Sequence, residues 1–200
     1  PNYEYNPYNK STSQSLNPGA VVDFLKKYNV VLLDMCHTFM FDCDDFDEDA
    51  DFAVTYERIG GRHLSPQTVQ KWLREIFAAV LTDYENPQKY DNFPMMSHYF
   101  QNHPEVSQLP AGEIENLTRV FAEHERGTIP AEYAAKIRQL AQNKRVGVIS
   151  NIWSDPKWFL PELETRKILP AIEHLVFSTD VQAVKPSLKI FEREIGRAHV

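Results

Sequence analysis

Short apolar runs alternate with helical patterns along most of this chain. The run Val30–Leu33 is uninterrupted, which is typical of a strand covered on both faces, and several segments between the runs space their apolar residues as one face of a helix does. The alternation predicts a parallel sheet with helices packed on it. The predicted strands are Val30–Leu33, 145–150 and 175–178; the predicted helices are 18–28, 131–142, one within 156–169 and one that begins near Ser187.

A long helical insertion separates the first predicted strand from the second. Its clearest helix has Ser65 as N-cap and Pro66 in the first turn, followed by apolar residues at helical spacing. Further helices are predicted at 47–59, ended by a Gly-Gly pair, and at 113–125. Because the insertion leaves from the carboxyl end of the first strand, we expect it to stand over that end as a cap that can close on a ligand.

These elements predict an α/β protein, with a Rossmann-like parallel sheet core and a small α-helical cap domain. The core would comprise residues 17–41 and 129–194, and the cap residues 42–128. Residues 1–16 are polar and aperiodic, so we expect a disordered tail. Residues 195–200 read Ile-Gly-Arg-Ala-His-Val, the translation of a widely used sequencing adapter, and are expected to be read-through.

The net charge and the composition limit the kinds of binding partner and the environment that we expect for this protein. The formal net charge of −7 provides no basic stripe for a phosphate backbone, so nucleic acid is not an expected partner. No apolar run approaches the roughly 20 residues of a membrane helix, and we expect a cytoplasmic protein that does not enter a membrane. The two cysteines, Cys36 and Cys43, are expected to be reduced thiols. The sequence does not indicate an oligomeric state.

Three short motifs carry the candidate chemistry. Asp34 follows the first strand directly, at the sheet edge where ligands bind in open α/β folds. Ser150-Asn151 closes the second strand, and Lys185-Pro186 follows the third. In this order the motifs resemble those of the haloacid dehalogenase superfamily, over about residues 20–194. The position of the insertion resembles the subgroup whose cap lies between the first two motifs.

The resemblance implies a role for each of these residues. Asp34 would be the nucleophile of a hydrolase that forms an aspartyl-phosphate intermediate on a small phosphorylated or anionic metabolite. Lys185 would neutralise charge around it. Thr38 and Ser150 would bind phosphoryl oxygens, together with N–H groups of the loop after the first strand. Asn151 would contact substrate, although an amide that caps a turn explains it equally well.

Cys36 stands where phosphatases of the superfamily usually have a second, acid–base aspartate. A thiol is a poor substitute, so slow turnover or a good leaving group is expected. Haloacid and phosphonate hydrolases of the superfamily also lack this aspartate, and carbon–halogen or carbon–phosphorus hydrolysis stays open. Phe191 stands where the dehalogenases have tyrosine, which favours the phosphatase. The remaining alternative is a binding protein that retains the fold but has lost efficient catalysis.

The resemblance also implies Mg²⁺, bound by the Asp34 carboxylate and the backbone carbonyl of Cys36. The acidic pair that completes this metal site in the superfamily is expected after the helix that begins near Ser187, beyond the printed sequence. We therefore expect the chain as written to bind Mg²⁺ weakly and to have little activity. The acidic stretch 42–51 lacks the glycine and terminal glutamate of a calcium loop in any register and is expected to be solvated.

Overall fold

A three-stranded parallel sheet forms the centre of the core. The computed structural model describes the backbone of residues 26–198 and the side chains of residues 26–193. The strands are β1 Val30–Leu33, β2 Arg145–Ser150 and β3 His174–Phe177, in the spatial order β1-β2-β3. All pairing is parallel. The predicted strands and parallel sheet are confirmed, and the carboxyl ends of the three strands meet at one edge.

Eight α-helices accompany the sheet within residues 26–198. They are α1 Phe52–Arg58, α2 Pro66–Tyr84, α3 Met96–Asn102, α4 Ala111–Glu125, α5 Ala131–Leu140, α6 Leu160–Thr165, α7 Ser178–Val181 and α8 Leu188–Ala198. The tail expected at 1–16, most of the helix predicted for 18–28, and residues 199–200 lie outside the described residues. None of the described helices is both long and apolar enough to span a membrane.

The prediction that β1 is covered on both faces is wrong within the described part of the chain. Val30 and Leu32 are 43% and 44% exposed, whereas β2 is buried from Val146 to its end. Val30 and Leu32 alternate along β1 and therefore lie on one face of the sheet, which the described residues leave uncovered.

Helices α1–α4 form the predicted helical insertion. Ser65 caps α2 as predicted, with its hydroxyl accepting a 3.1 Å hydrogen bond from the Thr68 N–H. The helix predicted for 47–59 begins only at Phe52, because the Asp51 carboxylate accepts the Val54 N–H at 3.0 Å and starts the helix there. The buried side chains of the insertion form one hydrophobic cluster, which includes Phe52, Leu73, Ile76, Phe100 and Phe121. A second cluster, which includes Met35, Phe39, Ile137, Val148 and Phe159, lies against the sheet.

Two linkers, residues 41–45 and 124–128, join the insertion to the core, and they are paired with each other. Phe41 and Thr128 exchange two backbone hydrogen bonds of 2.8 Å. Farther out, the Asp44 N–H donates to the carbonyl of Glu125 at 3.1 Å, and the next N–H along donates to the carbonyl of His124 at 2.8 Å. The insertion is therefore attached through a short antiparallel ribbon.

Candidate active site

Asp34 lies directly beyond β1 and forms an ion pair with Lys185. Its Oδ2 is 2.5 Å from Nζ of Lys185, and its Oδ1 accepts a 2.8 Å hydrogen bond from the Met35 N–H. The lysine ammonium also donates to the carbonyl of Ile149 at 3.3 Å. The side chain of Asp34 is 46% exposed, against 25% for Lys185. The two residues predicted as catalytic therefore meet, with the carboxylate still open to a ligand.

The loop after β1 is folded by bonds to its own backbone. The N–H groups of residues 38–40 all donate to the carbonyl of Met35, at 3.0 to 3.2 Å. The His37 N–H donates to the carbonyl of Met40 at 2.8 Å. The N–H groups of residues 37–40 therefore already have backbone acceptors, and the anion cradle expected from loop N–H groups stays a prediction. Between residues 35 and 41, only the Cys36 N–H has no partner in the described part of the chain.

Ser150 and Thr38, the two predicted phosphate-binding hydroxyl residues, differ in burial. Ser150 ends β2 and is fully buried, and its hydroxyl has one contact, 3.5 Å from the carbonyl of Asn151. That distance is long for an O–H···O bond, so this hydroxyl can bond to a ligand oxygen that reaches the sheet edge. Thr38 is exposed in the loop, and no hydrogen bond joins its hydroxyl to Asp34 or Lys185 among the described residues.

The Asn151 side chain lies between the core and the insertion. Its Oδ1 accepts the backbone N–H of Lys185 at 2.9 Å, and its Nδ2 donates to the hydroxyl of Tyr84 at 2.9 Å. Each end of the amide thus bonds to another part of the protein. Asn151 is within reach of the site, but its hydrogen bonds go to protein groups.

The Cys36 thiol lies among groups that disfavour its ionisation. Its hydrogen bond with the thiol of Cys43 is the largest cause of a raised pKa, followed by burial and by the nearby carboxylates of Asp44 and Glu125. A thiol with a raised pKa stays protonated near neutral pH and cannot accept a proton from water. The structure thus gives a physical reason for expecting weak acid–base catalysis at this position.

Glu125 is a buried carboxylate beside this site. Its side chain accepts the N–H groups of Trp153 at 2.5 Å and of Ser154 at 2.8 Å, which tie the end of α4 to the loop after β2. Burial, and secondly the charge of Asp44, raises the pKa of Glu125 to about 7. Glu125 therefore links the linker at 124–128 to the core and changes its charge near neutral pH.

The described residues offer part of a magnesium site. Mg²⁺ prefers oxygen ligands, and the partly exposed Asp34 carboxylate supplies them. The carbonyl of Cys36 accepts no hydrogen bond from any described residue, so it also remains able to bind a cation. Within the described residues, no group of three or more His, Cys, Asp or Glu side chains could hold a metal ion. Asp34 and Cys36 thus fit as two ligands.

Sequence reasoning missed Tyr84 and Glu125. Tyr84 ends a long amphipathic helix, and Glu125 ends another, and both positions read as ordinary helix termini. Their partners, Asn151 for the first and Trp153 and Ser154 for the second, lie far away in sequence. Only the way the insertion packs on the core brings them together. No local pattern in the sequence predicts these contacts.

Comparison with known proteins supports the fold. No family model matches the sequence. No curated protein is significantly similar to it. A HAD family enzyme from Bacteroides thetaiotaomicron, solved in complex with magnesium and inorganic phosphate, is 12% identical with a TM-score of 0.51, over 86% of this chain and 80% of that chain. A magnesium complex of the same enzyme gives 15% identity and a TM-score of 0.50, over 86% and 78%.

A 2-haloacid dehalogenase from Pseudomonas syringae pv. Tomato DC3000 is 18% identical with a TM-score of 0.48, over 86% of this chain and 74% of that chain. At such identities, structural similarity shows the fold alone. The two magnesium complexes, with TM-scores of 0.51 and 0.50, agree with the predicted α/β fold, which is confirmed.

Proposed function

We propose, from the haloacid dehalogenase superfamily fold that this chain adopts, that it is a hydrolase in which Asp34 is the nucleophile. The observation that carries the proposal is the 2.5 Å contact between Asp34 and Lys185 at the carboxyl ends of the strands. A carboxylate that is 46% exposed yet fixed by a lysine and a backbone N–H is oriented for attack. The substrate we propose is a small phosphorylated or anionic metabolite.

The reaction proceeds in two steps. An oxygen of Asp34 attacks the phosphorus of a phosphate monoester, the phosphorus–oxygen bond to the leaving group breaks, and an aspartyl phosphate forms. Water then hydrolyses this intermediate and releases inorganic phosphate. Lys185 offsets the negative charge on the transferring group, and the Ser150 hydroxyl and the Cys36 N–H donate to its oxygens. Bound Mg²⁺, held by the Asp34 carboxylate and the Cys36 carbonyl, would supply further neutralisation of phosphate charge.

The protonated Cys36 thiol favours one alternative reaction. A halide leaves without accepting a proton, whereas an alkoxide leaving group needs one. Because the raised pKa of Cys36 makes the thiol a poor proton donor, hydrolysis of a 2-haloacid through an ester on Asp34 is the second candidate. Release of inorganic phosphate or of halide from the respective substrates distinguishes the two reactions.

Purified protein is to be screened, with and without Mg²⁺, against p-nitrophenyl phosphate, a panel of phosphorylated metabolites and a panel of 2-haloacids. We expect Asp34→Asn to lower turnover by more than about a thousandfold and Lys185→Met by about a hundredfold. Asp42→Asn is the matched control, because it makes the same change at an exposed aspartate beyond the loop. Full activity in folded Asp34→Asn would rule out this mechanism.

A further inference from the structure

Lys185 is held through its backbone as well as through its ammonium group. Its N–H bonds to the amide oxygen of Asn151, whose nitrogen donates to the hydroxyl of Tyr84. Because a backbone N–H can only donate, the amide oxygen must face Lys185, and the amide nitrogen must then face Tyr84. The Lys185 N–H thus sets which way the amide faces, and the hydroxyl of Tyr84 accepts from the amide nitrogen and holds the amide in that orientation.

Tyr84 is itself held by the insertion. It is the last residue of α2, and its ring packs edge-on against Phe93, with centroids 5.9 Å apart. On the core side, the ring packs edge-on against Trp153 at 5.4 Å, in the loop that follows β2. These two contacts place the hydroxyl between the insertion and the core, beside Asn151.

A segment of the insertion, residues 90–93, also bonds to the backbone on the amino-terminal side of Lys185. The Phe93 N–H donates to the carbonyl of Gln182 at 2.8 Å, and the Val184 N–H donates to the carbonyl of Tyr90 at 3.0 Å. Val184 is fully buried and belongs to the hydrophobic cluster of the insertion. The residue directly before Lys185 thus packs as part of the insertion.

The same segment bonds to residues on the carboxyl-terminal side of Lys185. The hydroxyl of Ser187 donates to the carboxylate of Asp91, and Nζ of Lys189 donates to the carbonyl of Asp91 at 2.6 Å. Lys185 is therefore flanked on both sides by contacts with the insertion. The insertion and the backbone on both sides of Lys185 are thus joined by direct contacts.

We propose that Tyr84, acting through Asn151, is a positioning residue for Lys185, so that the insertion holds the lysine against Asp34. The catalytic meaning of this inference rests on the proposed function, whereas the placement of Lys185 can be measured without any substrate. Loss of the Tyr84 hydroxyl leaves the amide nitrogen of Asn151 without its acceptor. The amide can then rotate, and the Lys185 N–H loses a fixed partner.

The test measures how readily Lys185 is acetylated by a trace of acetic anhydride in the full chain, with mass spectrometry of the peptide that contains it. Tyr84→Phe and Asn151→Ala are both expected to raise the labelling rate several-fold. Tyr99→Phe is the matched control, because it removes a tyrosine hydroxyl of the same insertion whose 3.1 Å bond goes to Asp83. Equal labelling of Lys185 in Tyr84→Phe and Tyr99→Phe, with Asn151→Ala also unchanged, would overturn the proposal.

Activity on p-nitrophenyl phosphate provides the second measurement. We expect Tyr84→Phe to lower kcat by about tenfold with little change in KM, and to cause no further loss in a Lys185→Met background. Additive losses would contradict action through Lys185. If Asp34→Asn stays fully active while labelling responds to Tyr84→Phe, the proposed function fails and the positioning stands. If Asp34→Asn is inactive but labelling does not respond, the positioning alone fails.

Discussion

Glu125 makes the stability of the folded chain depend on pH near neutrality. Its side chain is 2% exposed, and burial together with the charge of Asp44 raises its pKa from 4.5 to about 7. A carboxyl group with a higher pKa in the folded state binds its proton more tightly there than in the unfolded chain. The folded state is therefore favoured while Glu125 is protonated, and stability falls as pH rises from 4.5 through 7.

The magnitude follows from the shift. One unit of pKa corresponds to about 1.4 kcal/mol, so a rise from 4.5 to about 7 costs about 3 kcal/mol once Glu125 is ionised. Part of this loss has already occurred at pH 5, because the unfolded group ionises there. Between pH 5 and pH 8 we therefore expect wild-type stability to fall by about 2–3 kcal/mol on account of Glu125.

Glu125→Gln tests this value, because glutamine has the shape of the protonated glutamic acid and does not titrate. Free energies of unfolding from urea denaturation at pH 5 and pH 8 give the difference between the two proteins at each pH. Between pH 5 and pH 8, we expect the free energy of unfolding of the variant to rise by about 2–3 kcal/mol relative to that of the wild type. Glu132→Gln, at an exposed position in the first turn of α5, controls for the loss of one negative charge. If the difference in the free energy of unfolding between Glu125→Gln and wild type is the same at both pH values, the reasoning is refuted.

Two other substitutions test the linkers and the position two residues after Asp34. A side chain at Gly127 would overlap the carbonyl oxygen of Phe41 and approach Sγ of Cys43 to 2.7 Å, so Gly127→Ala is expected to lower the free energy of unfolding by about 2–3 kcal/mol. Gly112→Ala, whose new methyl group meets nothing within 4 Å, is expected to leave it unchanged or slightly raised; equal urea midpoints for the two variants would contradict this. If the proposed phosphatase mechanism holds, Cys36→Asp is expected to raise kcat on an alkyl phosphate by about tenfold or more, because a carboxyl group can protonate the alkoxide leaving group and then activate water. Cys36→Ser, which removes the thiol without adding an acid, is the control, and an aspartate variant no faster than the serine variant would count against an acid–base role at this position.

The sequence predicted those features that depend on neighbours along the chain. β2 and α2 were predictable because an apolar run and a capped helical stripe are local patterns, and Ser65 caps α2 as expected. Asp34 was identifiable because the end of a strand is visible in the sequence. Its contact with Lys185 was expected only from the resemblance to a known superfamily, because the two residues lie far apart in the sequence.

Features that depend on tertiary packing were not predictable in the same way. The exposure of Leu32 depends on whether another segment packs on that face of β1, and nothing within β1 encodes this. The same holds for Tyr84, whose partner Asn151 is brought near only when the insertion docks on the core. The raised pKa of Glu125 likewise arises from burial between segments distant in sequence.

The antiparallel ribbon formed by the two linkers marks a position at which the backbone can be connected differently. Phe41 and Thr128 face each other across two backbone hydrogen bonds, so a tight turn that joins them directly would follow the path already present. A different module could then be attached at this pair without a new break in the sheet. Because Tyr84 and residues 90–93 bond to Asn151 and to the segments on either side of Lys185, such a module would also have to supply the contacts that hold this lysine.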